Sequence, residues 1–147
     1  MEVDRNAPVC VEREIEIAAP IEVVWGVLTN LDDVPRWFSL GESVAIDGPL
    51  APGATIRMKG RGTGTITATI EAADEPHVLG WTSRAFGLSA ISVWRLDRHE
   101  SGTRVEKGES MNGLPARLLR RPLQKKVVGF METWLRDLKV EAERRTA

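Results

Sequence analysis

Two ionisable residues of opposite charge, Lys107 and Glu109, stand two positions apart in a segment that alternates like a β-strand. Alternate residues of a strand share a face, so both side chains point inward if Val105 does. A carboxylate and an ammonium group on one face are the components of general acid–base and electrostatic catalysis. Because buried charges are rare unless paired, we expect both groups at the rim of the interior or in solvent rather than deep inside it.

Two neighbouring predicted strands carry small polar residues among large apolar ones. Parity places Ser83 on the same face as Trp81, and it places Ser92 on the same face as Trp94. A solid core would have large aliphatic residues at such positions, so the pattern indicates a cavity wall. A bulge that shifts the register is the alternative, and it would return these residues to an ordinary core or to the surface.

Other segments resemble phosphate-binding, nucleophile or metal-binding motifs but lack residues that those motifs require. The glycine-rich residues 60–64 precede a Thr/Ile-rich strand rather than a helix, so they predict a hairpin turn and not a phosphate loop. Ser110 lacks the last glycine of a nucleophile elbow, which favours a structural role. His77 and His99 fall at strand ends without the spacing of a ligand pair, and Cys10 is the single cysteine. The sequence therefore predicts no cofactor and no metal site.

Composition limits the class of protein. With 147 residues and 42% hydrophobic positions, the chain suits one domain over residues 1–147. A formal charge of -1 removes the bulk electrostatic argument for nucleic-acid binding, and the absence of Tyr excludes mechanisms that need a phenol. No apolar run predicts a transmembrane segment and no leader predicts export, so we expect a cytoplasmic protein. Whether it forms a homodimer is left open.

Hydrophobic periodicity predicts the order of the elements. Alternation predicts a strand over about 9–17, and helical spacing after Pro20 predicts a helix over about 20–28. A second short helix begins near Asp32 and carries Trp37 and Phe38. Six closely spaced strands follow between Gly41 and Gly113, and without helices between them they predict an antiparallel meander.

The C-terminal third predicts one long amphipathic helix over about 114–144, bent or broken by Pro122. Its apolar stripe consists of Leu119, Leu123, Val127, Phe130, Trp134 and Leu138. Five cations without an intervening acid also lie there: Arg117, Arg120, Arg121, Lys125 and Lys126. They suit the solvated back of the helix, and the alternatives are an anionic ligand tail, a partner or a membrane surface.

The order and spacing of several short segments resemble the START-like helix-grip superfamily (SRPBCC), and within it the polyketide cyclase/dehydrase and lipid transport group. The segments are residues 19–25, 30–32, 35–37, 76–81, 94–96, 102–105 and 135–143. The resemblance covers nearly the whole chain. It implies an α+β helix-grip fold, in which a seven-stranded antiparallel sheet wraps around the long C-terminal helix and two short helices lie between strands 1 and 2. It also implies a cavity between sheet and helix.

On this basis the sequence predicts a protein that binds a small hydrophobic or amphipathic ligand, lipid-like or polyketide-like, in that cavity. The expected ligand contacts are Trp37, Phe38, Trp81, Ser83, Ser92, Trp94, Phe130 and Trp134. Ser83 and Ser92 are expected to orient polar groups of the ligand. Among the aromatic residues of the second short helix, we expect Trp37 to pack on the core and Phe38 to border the entrance.

The alternative is an enzyme that resembles polyketide aromatase/cyclases and promotes aldol cyclisation and dehydration. In it Glu109 acts as the base, with Lys107 or Arg57 as its electrostatic partner. The absence of Tyr and of an inward histidine weakens this hypothesis. A third possibility is an interaction protein that binds through the basic helix.

Overall fold

A computed structural model describes residues 1–62 and 64–147 of the chain. Seven strands in this part of the chain form one antiparallel sheet, in the order β1-β7-β6-β5-β4-β3-β2. Their bounds are β1 Val9–Ile17, β2 Gly41–Asp47, β3 Thr55–Gly60, β4 Thr65–Asp74, β5 Val78–Ala85, β6 Leu88–His99 and β7 Gly102–Asn112. The predicted meander is confirmed, and β1 closes it by pairing with β7.

The helices lie where the periodicity predicts them. Helix α1 spans Ile21–Thr29, a 3₁₀ turn spans Leu31–Asp33 and helix α2 spans Val34–Trp37, all between β1 and β2. Helix α3 spans Leu114–Leu118 and the long helix α4 spans Arg120–Thr146. The α+β helix-grip architecture predicted from the sequence is confirmed.

Helix α1 follows directly from the end of β1. Pro20 precedes it with φ at -59°, the angle to which its ring restricts it, so it caps the helix without needing an N–H partner. The Thr103 hydroxyl of β7 donates a 2.8 Å hydrogen bond to the carbonyl of Ala19. This buried bond fixes the junction between β1 and α1 to the sheet.

The break in the C-terminal helix is confirmed, and it falls at Leu119, between α3 and α4. Pro122 is the third residue of α4, where a backbone N–H has no helical partner to lose. Its ring would clash with the carbonyl one turn earlier, so one continuous helix cannot form through this point. The prediction that Leu119 belongs to the apolar stripe is wrong, since the break leaves its side chain 53% exposed.

Helix α4 closes the interior by packing chiefly on β1 and α1. Its buried face is formed by Val127, Met131, Trp134, Leu135, Leu138 and Ala142. Near its C-terminal end, the Lys139 ammonium donates to the carbonyl of Glu16 at 2.7 Å, and the Glu143 carboxylate accepts from the Ala18 N–H at 2.9 Å. These contacts anchor that end of α4 to the end of β1.

Trp37 and Phe38, at the end of α2, have the opposite positions to those expected. Phe38 is 3% exposed and belongs to the core, whereas Trp37 is only partly buried. The chain leaves helical geometry at Phe38, with φ -90° and ψ 109°. The N–H and hydroxyl of Ser39 then both donate to the Asp137 carboxylate of α4, at 2.9 and 2.7 Å. This anchoring turns Phe38 inward, so the assignment of Trp37 to the core and Phe38 to the entrance is wrong.

Replacing Phe38 by alanine should therefore destabilise the protein by about 3–5 kcal/mol, the usual cost of truncating a buried aromatic side chain. Trp37→Ala, the matched control, should cost clearly less because part of its ring already contacts water. Urea unfolding followed by far-ultraviolet circular dichroism measures both. A greater loss in Trp37→Ala would contradict this assignment.

Candidate functional site

Lys107 of β7 lies deep in the interior, with 1% of its surface exposed. Its Nζ lies 4.4 Å from the ring centroid of Trp94, 4.6 Å from that of Trp134 and 5.4 Å from that of Trp81. No hydrogen-bond acceptor for this nitrogen is found among the described residues. The expected rim position of Lys107 is wrong, because three indole faces, rather than a paired carboxylate, surround the ammonium group.

Residues on the same face of three neighbouring strands form the surroundings of Lys107. Lys107 pairs with Trp94 of β6, which pairs in turn with Leu79 of β5. Trp81 lies two residues after Leu79 on the same face of β5, and Trp134 approaches from α4 on the other side. The inward parity predicted for these three strands is confirmed.

Burial changes the acid–base properties of Lys107. Loss of hydration lowers the pKa of its ammonium group from 10.5 to about 8, against a smaller opposing effect of the Glu109 charge. At neutral pH the group is therefore mainly a cation that can release its proton within a mildly alkaline range. Such a group suits electrostatic stabilisation of an oxyanion.

Glu109 lies on the same face of β7, two residues after Lys107, and is partly buried. Burial raises the pKa of its carboxyl group, while the positive charge of Lys107 and a hydrogen bond with the Ser92 hydroxyl lower it. Ser92 is its direct partner across the β6–β7 ladder and is itself buried. The pair therefore places a proton acceptor and a cation on one face of one strand.

Aromatic rings occupy the space between the sheet and α4. Phe38 stacks on Trp134 with centroids 4.7 Å apart, and Phe130 meets the two rings edge to face at 5.2 and 5.6 Å. Trp134 also meets Trp94 edge to face at 5.2 Å. Trp134 is thus the centre of the cluster.

Several hydrogen-bond donors buried in the interior have no acceptor in the described part of the chain. The buried indole N–H groups of Trp94 and Trp134, like the Lys107 ammonium, have no acceptor among the described residues. Each unsatisfied buried donor typically costs about 1–3 kcal/mol, and native proteins contain few of them. A bound molecule that carries oxygen acceptors could satisfy such donors.

The structure brings most of the predicted site residues together. Its central group consists of Phe38, Trp81, Ser92, Trp94, Lys107, Glu109, Phe130 and Trp134. Trp37 lies beside Phe38 with centroids 6.3 Å apart, and partly buried Ser83 pairs with Ala90 farther along β5. Arg57 is not part of the site. It lies exposed on the outer face of β3 and pairs with Asp47 at 3.1 Å.

The contacts that hold the α2 segment over the aromatic cluster join residues that no sequence motif connects. Asp137 accepts two hydrogen bonds from Ser39, and the Arg61 side chain donates to the carbonyl of Ser39 at 2.9 Å. A second link joins Arg145 of α4 to Asp33 at 2.8 Å. These partners are far apart in sequence and leave no periodic signal.

The remaining motifs have structural roles. The Ser110 hydroxyl accepts a 3.0 Å hydrogen bond from the N–H of Asp4, and His77 Nδ1 lies 2.8 Å from the carbonyl of Leu96. His99 pairs with Glu16 at the surface. Thr63 of the glycine-rich turn lies outside the described residues. The described residues contain no group of three metal-ligating side chains and no helix long and apolar enough to cross a membrane.

Comparison with protein families gives a match that covers most of the chain. Residues 8–143 match the family described as polyketide cyclase / dehydrase and lipid transport. A search of curated proteins gives no significant match.

Solved structures with the same fold include proteins of different kinds. The hypothetical protein jhp0584 from Helicobacter pylori superposes with a TM-score of 0.81 at 16% identity, over 94% of this chain and 90% of that one. The ZhuI aromatase/cyclase from Streptomyces sp. R1128 superposes with a TM-score of 0.79 at 21% identity, over 94% and 95% of the two chains. The di-domain aromatase/cyclase StfQ of the steffimycin biosynthetic pathway gives 0.80 at 14% identity, over 94% of this chain and 51% of its own. At these identities the likeness establishes the fold.

Because the pKa of Lys107 is lowered in the folded protein, we expect the protein to become more stable against unfolding at alkaline pH. Between pH of about 8 and 10.5 the unfolded chain keeps the proton that the folded protein releases, so the free energy of unfolding should rise with pH across this range. The rise is at most about 3 kcal/mol. Lys107→Met should lack it, whereas Lys125→Met, at an exposed position, should keep it. Urea unfolding at a series of pH values measures the difference, and parallel curves for wild type and Lys107→Met would refute the assignment.

Proposed function

Because the chain belongs to the polyketide cyclase/dehydrase and lipid transport family, we propose that it binds a small amphipathic molecule between the sheet and α4. The observation that supports this most strongly is the group of unsatisfied buried donors, namely the Lys107 ammonium and the indole N–H groups of Trp94 and Trp134. Ligand oxygens that reached these donors would recover hydrogen bonds that the protein alone does not make.

The chemistry of the ligand follows from the same groups. The aromatic cluster favours an apolar or planar conjugated body, because ring faces and edges both contribute to packing. The three donors favour a carbonyl, enolate or carboxylate oxygen rather than a hydrogen-bond donor. The ligand is therefore an apolar molecule with at least one acceptor oxygen. Both a polyketide-like and a lipid-like carbonyl compound meet this description.

Access to the site is through the α2 segment. Phe38 covers Trp134 and is held there by the contacts of Ser39 with Asp137 and of Arg61 with Ser39. Helix α2 spans only four residues, so few helical hydrogen bonds resist its displacement. Movement of Phe38 together with Trp37 opens the path to Lys107.

Binding of a carbonyl-bearing dye tests the proposal. Prodan, an aminonaphthalene ketone, should bind with a blue shift of its emission, and Lys107→Met should weaken its affinity by about tenfold, or ~1.4 kcal/mol. The corresponding aminonaphthalene without the ketone should bind wild type and Lys107→Met equally, because it offers no acceptor.

Lys125→Met is the control for loss of an exposed lysine and should leave both affinities unchanged. Failure of both dyes to bind the folded wild-type protein would refute an interior binding site. Equal binding of prodan to wild type and Lys107→Met would refute the role of Lys107.

A cyclase activity is the second candidate, favoured by the shared face of Glu109 and Lys107 and their shifted pKa values. The Glu109 carboxylate would remove a proton from carbon between two ketones. The Lys107 ammonium would stabilise the resulting enolate oxygen while the enolate carbon attacks a second carbonyl of the same chain. Return of the proton to the new alkoxide, followed by loss of water, completes an aldol condensation.

The cyclase hypothesis predicts that Glu109→Gln abolishes turnover of a poly-β-ketone mimic while its affinity stays within about tenfold. Glu106→Gln is the matched control, since Glu106 is exposed on the opposite face of the same strand. Wild-type turnover should rise as Glu109 loses its proton and fall as Lys107 does so near pH of about 8. Undiminished turnover in Glu109→Gln would exclude this mechanism without affecting the binding proposal.

A further inference from the structure

One end of the molecule exposes large apolar side chains beside unpaired cations. Phe86, at the turn between β5 and β6, is 80% exposed, and Leu114 and Leu118 of α3 are 65% and 72% exposed. Leu119, at the break before α4, adds a fourth apolar side chain. Soluble proteins seldom expose large apolar side chains in a cluster without a binding role.

These apolar side chains lie on two elements that the backbone holds together. A side chain at Gly113, just before α3, would collide with the carbonyl of Gly87 in the β5–β6 turn. A side chain at Gly87 would in turn touch Pro115 of α3. The turn and α3 therefore form one structural unit that carries Phe86, Leu114 and Leu118, and Leu119 directly follows α3 at the same end of the molecule.

The β5–β6 turn keeps an aromatic ring in water despite a backbone cost. Phe86 has φ of 54°, a left-handed conformation that bulky residues rarely adopt. Nothing in the core requires a ring at this position, since the side chain is mostly exposed. With Gly87 at φ of 76°, Phe86 forms the two-residue turn that joins β5 to β6, so the turn sets this backbone angle and leaves the ring exposed.

Positive charge surrounds the apolar side chains. Residues 110–131 contain no Asp or Glu. The five cations of this stretch are all exposed, and within the described chain none of them pairs with a carboxylate: Arg117, Arg120, Arg121, Lys125 and Lys126. By contrast, cations elsewhere on α4, such as Lys139 and Arg144, have carboxylate partners. We call these five cations and the four apolar side chains the basic apolar tip.

We propose that the basic apolar tip docks on a lipid bilayer that contains anionic lipids, with its apolar side chains inserted between headgroups and its cations against the phosphates and carboxylates. Apolar side chains bordered by Lys and Arg are the composition of interfacial membrane-binding segments. The side chains project from a hairpin turn and a one-turn helix. That shape suits insertion into a soft surface better than contact with a rigid protein.

Docking at this end has a consequence for the interior. The basic part of α4 leads directly to Phe130, which is partly buried and packs on Phe38 and Trp134. Along α4, the aromatic residues Phe130 and Trp134 therefore lie between the tip and Asp137, where the α2 segment is attached, so docking at the tip leaves the α2 segment free to open.

Sedimentation with vesicles tests the proposal on the full chain. Wild-type protein should bind vesicles of equal parts phosphatidylserine and phosphatidylcholine, should not bind phosphatidylcholine alone, and should be released by high salt. Leu118→Ser and Leu119→Ser together, or Arg120→Gln, Arg121→Gln and Lys125→Gln together, should each weaken binding by about tenfold or more. These positions are exposed, so the variants should keep the wild-type unfolding midpoint.

Val140→Ser and Arg136→Gln, at exposed positions on the distal half of α4, are the matched controls and should bind like wild type. Absence of wild-type binding to the mixed vesicles would overturn the proposal, as would equal binding by the tip variants. Concentration-dependent dimerisation that the leucine substitutions abolish, without vesicle binding, would assign the surface to a second copy of the chain. Dye binding by the interior does not depend on any of these outcomes.

Discussion

Burial of the Lys107 ammonium among three indole rings is the interaction on which the rest of the structure depends. Removing a cation from water is costly, and the nearby Glu109 charge, which makes no hydrogen bond to the nitrogen, offsets only part of the cost. Desolvated cation–π contacts contribute about 2 kcal/mol each, which is of the same order as the loss. The rings come from β5, β6 and α4, so the charge is stable only when the sheet has curved around the long helix.

The same arrangement accounts for the difference between this interior and an ordinary core. Trp134 contacts Phe38, Phe130, Trp81 and Trp94, and its ring also lies against the Lys107 ammonium. A movement of the α2 segment that displaced Phe38 would therefore reach Lys107 through Trp134. Stability alone would be served better by an aliphatic residue at position 107. A cation kept at this point, beside a carboxylate of raised pKa, is consistent with recognition of a ligand oxygen.

Whether the sequence predicts a feature of this protein depends on how far apart along the chain the interacting residues lie. Period-two alternation placed Trp81, Ser92, Trp94, Lys107 and Glu109 on the inner face, because parity is a local property of each strand. The depth of Lys107 was mispredicted, because the rule that charges stay exposed takes no account of indoles from three distant elements. The orientation of α2 was also mispredicted. It is set by hydrogen bonds between Ser39 and Asp137, which are 98 positions apart.

The most direct test of this account is the nuclear magnetic resonance titration of the lysine side chains, labelled with carbon-13 at the ε position. The chain has only five lysines, so each signal can be assigned by substitution. The account predicts that one signal, absent from Lys107→Met, is shifted by the ring currents of the indoles, titrates near pH of about 8 and moves when prodan is added. Five unshifted signals that all titrate near the ordinary lysine pKa would contradict it.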